Sequence, residues 1–309
     1  MSIIEKAVDK LGKSPEQPVM QEPAVQPEPA APEAALIKKA VERATGQSAV
    51  TQAPPPAAVA EHISSHQIVI NNHKLKQMGM ISIDGERSQI AEEYRLIKRP
   101  LLMNAFGQGA VPVKNGNMIM VTSSLPGEGK TFCSINLAIS IAMELDRTVL
   151  LVDADVAKPS VLRYLGVKAE KGLLDVLRDP KLNIGDVLIK TNIENLSILP
   201  AGHTYKHATE LLASEAMTSL IQEIANRYPD RIVIFDSPPL LATSEASVLA
   251  SHMGQIVMVI EAEKTPQEAV KEAVARIEGA CDVIGTVLNK ATSIPGTDYY
   301  YGNYGSYGT

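Results

Sequence analysis

From residue 118 to residue 290 the chain alternates two kinds of hydrophobic pattern. Short, nearly continuous apolar runs occur at 118–123 (MIMVTS), 148–155 (TVLLVDAD), 196–202 (LSILPAG), 232–239 (IVIFDSPP), 255–262 (QIVMVIEA) and 283–290 (VIGTVLNK). Runs of this length without a polar face predict strands buried on both sides. Between most of them lie segments with apolar residues at helical spacing, notably Thr131–Leu145, Thr209–Tyr228 and Pro266–Gly279. The alternation predicts an α/β fold, a mainly parallel sheet with helices on both faces. Crossovers in such sheets are right-handed and ligands bind beyond the carboxyl ends of the strands. The chemistry is therefore expected directly after each strand.

Both ends of the chain have another character. Residues 14–60 carry nine prolines and twelve alanines, and the first aromatic residue of the chain is Tyr94. Such a segment buries too little to offset its ordering entropy, and its prolines favour extended conformations. Two stretches inside this arm, SIIEKAVDK at 2–10 and ALIKKAVER at 35–43, repeat an apolar spacing (Ile3, Ile4, Ala7, Val8 and Leu36, Ile37, Ala40, Val41) that gives a short helix one apolar face. They read either as transient helices or as docking helices for a partner or a membrane surface. The last nineteen residues, ATSIPGTDYYYGNYGSYGT, are glycine-rich, almost free of aliphatics, and hold five of the nine tyrosines. The division expected is a disordered arm with short amphipathic helices over 1–80, a folded domain over 81–290 and a flexible tail over 291–309.

Composition narrows the function. With 29 Lys+Arg against 35 Asp+Glu the net charge is −6, which argues against a nucleic-acid partner. Cys133 and Cys281 are the two cysteines of the chain, too few for a disulfide framework, so a reducing cytoplasmic location is expected. No apolar run approaches the roughly 18–20 residues that span a bilayer, and the amino terminus has no signal-peptide pattern. The histidines show no metal spacing; His203 and His207 are four apart without a third ligand.

The chemistry concentrates at three strand ends. SSLPGEGKT at 123–131 follows a strand and opens a helix, with Ser124 where the general phosphate-loop pattern has its first glycine. Backbone amides of Gly127, Glu128 and Gly129 can converge on phosphate oxygens, helped by the positive end of the helix. Lys130 is expected to bridge the β- and γ-phosphates and Thr131 to offer its hydroxyl to Mg²⁺. The nucleotide-binding set read from the loop is Pro126, Gly127, Glu128, Gly129, Lys130, Thr131 and Phe132. VLLVDAD ends in Asp153 and Asp155, and IVIFDSPP presents Asp236 before two prolines that turn the chain away. One such aspartate is often a helix cap. Three beside a phosphate loop read as a magnesium and catalytic-base cluster, since Mg²⁺ takes few carboxylates together with waters and phosphate oxygens. The sequence thus predicts a nucleoside triphosphate site, which the resemblance that follows makes an ATP site.

SSLPGEGKT, VLLVDAD and IVIFDSPP resemble the Walker A, Walker A′ and Walker B motifs of bacterial tyrosine kinases, autokinases of the deviant-Walker P-loop superfamily that accompany exopolysaccharide and capsule polymerisation. The resemblance covers residues 85–309, and the proline-rich front is similar to the soluble kinases linked to exosortase-type systems. It implies autophosphorylation in trans, with the base taken from the Walker A′ aspartates (Asp153 here), Asp155, Asp236 and Thr131 around the metal, and Tyr299, Tyr300, Tyr301, Tyr304 and Tyr307 as acceptors. It also implies a homo-oligomeric ring, with EEYRLIKRPLL at 92–102 resembling the family's oligomerisation helix through Glu92, Arg95 and Lys98. A transmembrane polysaccharide co-polymerase as activator, a cognate phosphotyrosine phosphatase and a place at the inner face of the plasma membrane follow in the same way.

The departures touch assembly more than nucleotide binding. Lys98 replaces an arginine and loses its planar two-pronged pairing. Ala157 followed by Lys158 stands where the family often has arginine, and YKHATELL keeps Glu210-Leu211-Leu212 without the usual proline turn. Asn289 at the end of VLNK reads either as a turn residue or, by resemblance, as an adenine contact. Cys133 in the first turn of the loop helix reads as a small buried side chain. A partitioning-type ATPase and a nucleotide-gated adaptor are the other readings; partitioning relatives carry an extra lysine early in the loop, where this chain has Leu125.

Overall fold

The computed structural model describes residues 66–292 apart from Glu86, Ala110, Tyr228 and Pro229. The amphipathic stretches at 2–10 and 35–43 and the five tail tyrosines lie outside the described residues. No helix among the described residues is long and apolar enough to cross a membrane.

The described chain runs β1 (His66–Ile68), α1 (Asn72–Gln77), α2 (Gln89–Ala105), β2 (Met118–Ser123), α3 (Lys130–Ala142), β3 (Thr148–Asp153), α4 (Val161–Leu165), α5 (Leu173–Arg178), α6 (Ile184–Val187), β4 (Ile189–Thr191) and β5 (Leu196–Leu199). It continues with α7 (Ala208–Leu212), α8 (Glu215–Arg227), β6 (Arg231–Asp236), α9 (Glu245–Ala250), β7 (Gln255–Glu261), α10 (Gln267–Ala275) and β8 (Val283–Asn289). These strands form one eight-stranded sheet in the order β1-β4-β5-β3-β6-β2-β7-β8, every pair parallel except β4–β5.

The apolar runs are continuous because each central strand feeds two cores. Met118 and Met120 face one side with Leu150, Val152 and Phe235, under α5, α8 and α9. Ile119 and Val121 face the other with Leu151 and Ile234, under α1, α2 and α3. Phe235 is 1% exposed; its truncation to alanine costs about 3–5 kcal/mol. The α/β architecture expected from the alternation is the one observed.

Two expectations need correction. The fold starts before residue 81: β1 pairs in parallel with β4, and Ile70, Leu75 and Met80 are buried against the α3 side of the sheet. A three-residue edge strand shows no periodicity, and residues 66–80 bring no Phe, Tyr or Trp of their own to this core. The helix expected over Thr209–Tyr228 is two helices. The first ends at its C-cap Ala213, and Ser214 stands before the second, its hydroxyl accepting from the Met217 N–H at 3.3 Å.

Candidate active site

The phosphate loop lies between the carboxyl end of β2 and the first turn of α3. Gly127 and Gly129 take φ values of 90° and 100°, a left-handed region that side chains avoid. Gly129 also has no room for one, because a Cβ there would lie 2.1 Å from Asn289 Nδ2. The loop is held from inside by Glu128, 2% exposed, whose Oε2 accepts from the Leu125 N–H at 2.6 Å and whose Oε1 accepts from the Thr265 hydroxyl. It is held from outside by β8 and the residue after it: Asn289 Nδ2 donates to the Glu128 carbonyl and Lys290 Nζ to the Gly127 carbonyl, each at 2.8 Å. The first amides of α3 have no carbonyl of an earlier turn to donate to, an arrangement suited to phosphate oxygens.

The aspartates arrive from β3 and β6, which lie side by side with Asp153 and Asp236 as register partners. Asp155 pairs with Lys130, Nζ to Oδ2 at 2.6 Å, and its Oδ1 accepts from the Lys158 N–H at 3.1 Å. Asp236 Oδ2 accepts from the Thr131 hydroxyl at 2.7 Å, and its Oδ1 lies 3.0 Å from the Ser134 hydroxyl, which also reaches the Lys130 carbonyl. Asp153 Oδ2 accepts from the Ser160 and Val161 N–H groups at 2.9 Å each, while its buried Oδ1 has no hydrogen-bond partner.

Burial raises both carboxyl groups of the register pair. Asp153 is pushed up to about 7 by burial and the charge of Asp236, against the pull of the two amides. Asp236 is pushed up to about 6 by burial, with Lys130 and the Thr131 and Ser134 hydroxyls holding it down. Among the described residues no three His, Cys, Asp or Glu side chains close round one metal position. A magnesium ion that completes its shell with waters and phosphate oxygens fits a site of separate carboxylates. What the arrangement offers is an anion nest, one ammonium, and a buried carboxylate oxygen without a partner.

The AAA_31 family, described as an AAA domain, matches residues 116–290, more than half of the chain. The tyrosine-protein kinase YwqD of Bacillus subtilis is 31% identical over 75% of this chain and 94% of its own. The chain belongs to the bacterial tyrosine-protein kinases. The tyrosine-protein kinase CpsD of Streptococcus agalactiae is 31% identical over 63% of this chain and 83% of its own. The crystal structure of the VpsO kinase domain superposes with a TM-score of 0.53 at 29% identity, over 66% of this chain and all of that one. The nucleotide-binding loop described above lies inside the AAA-domain match.

Within this tyrosine-kinase fold, Lys130, Thr131, Asp153, Asp155 and Asp236 come together as the strand ends predicted. Pro126 and Gly127 are exposed at the loop tip. Phe132 differs in that its partly buried ring packs against the α3-side core. Asn289 faces the loop carbonyl of Glu128. Cys133 is buried under α2, burial pushing its thiol up to about 11, beside a Tyr94 hydroxyl that burial also raises.

The three residues matched to the oligomerisation helix do not form one patch. Glu92 and Arg95 pair with each other on the outside of α2. Lys98 points inward, 8% exposed, with Nζ on the Ser140 carbonyl at 2.6 Å and on Glu144 at 2.5 Å. The reason is helical phase: Ala91, Tyr94, Lys98 and Leu101 form the buried stripe of α2. Arg99, four residues after Arg95, is exposed instead.

Four contributors escaped sequence reading: Ser134, Glu128 as an internal brace, Thr265 and Lys290. Ser134 alone had a signal, since it falls on the same face as Thr131 at i+3.

Proposed function

We propose that this kinase transfers the γ-phosphoryl group of ATP to the tyrosine cluster at its own carboxyl end, acting in trans within a homo-oligomeric ring. The observation that carries this reading is the meeting of Lys130 and Thr131 with three buried aspartates, one of which has an unpartnered oxygen. The phenolic oxygen of a tail tyrosine (Tyr299, Tyr300, Tyr301, Tyr304 or Tyr307) forms a bond to the γ-phosphorus while the bridging bond to ADP breaks. A phenol with pKa near 10 keeps its proton at neutral pH, so the proton must move as the bond forms. Asp153 Oδ1 is its acceptor; a carboxyl raised to about 7 is matched to work near neutrality. Lys130 exchanges Asp155 for phosphate oxygens, and the loop amides orient the β- and γ-phosphates. Thr131, Asp155 and Asp236 would hold Mg²⁺, which would offset the charge of the triphosphate.

The family resemblance extends the proposal to the cell. The kinase acts from the cytoplasm on exopolysaccharide polymerisation and export, with a membrane-embedded polysaccharide co-polymerase as activator and a phosphotyrosine phosphatase as its opponent. Five phosphotyrosines would add about −8 to −10 charges at −1.5 to −2 each, enough to drive ring subunits apart. The test is incubation of the purified full chain, with and without a membrane activator fragment, with γ-labelled ATP and Mg²⁺. Label should appear on tail tyrosines and fall by at least about 100-fold in Lys130→Met, and it should be absent from a chain ending at Pro295. Released phosphate with no phosphotyrosine under either condition would instead establish a partitioning-type switch.

A further inference from the structure

We infer that Lys290 is a positioning residue for the triphosphate, holding the phosphate loop open from the root of the tyrosine-bearing segment. A trans peptide unit is planar, with its carbonyl and its N–H pointing opposite ways. The carbonyl of Gly127 and the N–H of Glu128 belong to one unit, and the carbonyl of Glu128 and the N–H of Gly129 to the next. Lys290 Nζ holds the first carbonyl outward at 2.8 Å, and Asn289 Nδ2 holds the second at the same distance. Each bond therefore turns an amide toward the phosphates. The Gly127 unit most needs such a hold. Glycine at φ 90° has no Cβ to bar a flip, and a flip would present an oxygen to the triphosphate in place of an N–H.

Lys290 is itself aimed. Glu261 Oε2 lies 3.0 Å from its Nζ, and hydrogen bonds from Lys290 and Lys264 hold the Glu261 carboxyl below the usual range. Glu261 is in turn the register partner of Asn289, the residue before the lysine. Lys290 adopts φ 58°, a left-handed conformation that a non-glycine residue keeps only where its surroundings demand it. The next residue begins the segment carrying the five tail tyrosines. The loop that grips ATP and the root of the proposed acceptor segment thus share one ammonium. The inference rests on the kinase reading only for this last link; the hold on the loop is independent of phosphotransfer.

The test is titration calorimetry on the full chain with ADP and, by competition, with AMP, both with Mg²⁺. In Lys290→Met, which keeps side-chain length and removes the charge, ADP should bind about five- to tenfold more weakly. AMP, which lacks the phosphates that enter the loop, should change less than about twofold, and Lys290→Arg should recover most of the ADP affinity. Glu261→Gln should weaken ADP in the same direction, and the double variant should be no weaker than Lys290→Met alone. Unchanged ADP binding in Lys290→Met overturns the inference, as does an equal loss for ADP and AMP, which marks a general structural role. If no protein in the series, parent included, acquires phosphotyrosine while the ADP pattern holds, the kinase reading falls and the positioning role stands.

Discussion

The carboxyl ends of β3 and β6 present the same residue type in the same layer of the sheet, yet they build different chemistry. Asp236 faces α3, and its two oxygens meet hydroxyls from Thr131 and Ser134 on that helix. Asp153 faces the turn into α4, and two main-chain amides engage one oxygen while the other has no partner. The element that packs against each strand end sets the difference. Asp236 is tied to the helix that follows the phosphate loop, which fits its proposed place beside the nucleotide. Asp153 is tied to a turn and keeps one oxygen without a partner, the oxygen proposed above to take the proton.

The sharpest way to break this contrast is to replace each aspartate by asparagine. Asp153→Asn removes the proposed proton acceptor and should lower kcat for tail phosphorylation about 100-fold or more, with the KM for Mg·ATP within about threefold of the parent. Asp236→Asn removes a carboxylate proposed to lie at the metal and bonded to the loop helix, and should raise the KM for Mg·ATP about tenfold. Steady-state kinetics over a range of ATP concentrations separates the two signatures. If both variants lose kcat alone, or both lose ATP affinity alone, the division of labour is wrong.

How much of this contrast the sequence displays depends on distance along the chain. The three aspartates and the phosphate loop are legible because each closes a long apolar run, and a strand buried on both faces delivers its last residue to one edge. Their partners are not legible. Ser160 and Val161 reach Asp153 only through the shape of the turn between them. The inward turn of Glu128 depends on Thr265, 137 residues away. Lys98 shows the opposite failure: a motif spaced at three and three drifts round a helix of 3.6 residues per turn, so its last member entered the core stripe while Arg95 stayed outside. β1 and α1 stayed hidden because three residues carry no period and residues 66–80 bring no aromatic of their own to the core they join.

The contrast also predicts a pH dependence for the metal-free, nucleotide-free protein. Both carboxyl groups are raised on folding, to about 7 for Asp153 and about 6 for Asp236. The folded state therefore binds more protons than the unfolded chain between the ordinary aspartate range and those values, and stability from these groups is fully present at low pH and lost as pH rises. From pH 5 to pH 8 the unfolding free energy read from urea titrations should fall by about 4 kcal/mol. Asp153→Asn should flatten the slope more than Asp236→Asn, because the folded-state shift is larger at Asp153. A slope that neither Asp153→Asn nor Asp236→Asn changes would mean that neither carboxyl is raised.

The smallest effect comes from making one aspartate resemble the other. Ser134→Ala removes the hydroxyl facing Asp236 Oδ1 and leaves that oxygen, like Asp153 Oδ1, without a donor. The Lys130 carbonyl, which the same hydroxyl reaches at 2.9 Å, keeps its place in the α3 ladder. The loss should be about 1 kcal/mol, that of one hydrogen bond to a partly ionised group. Its pH dependence carries more information than its size. A donor stabilises the carboxylate more than the carboxylic acid, so removing it pushes Asp236 further up, and Ser134→Ala should cost more at pH 8 than at pH 5. Asp153 has no hydroxyl partner to lose, so the same substitution in an Asp236→Asn background should show no such difference between the two pH values. A cost independent of pH in the parent would mean that Ser134 serves only the helix, and that the hydroxyls round Asp236 do not set it apart from Asp153.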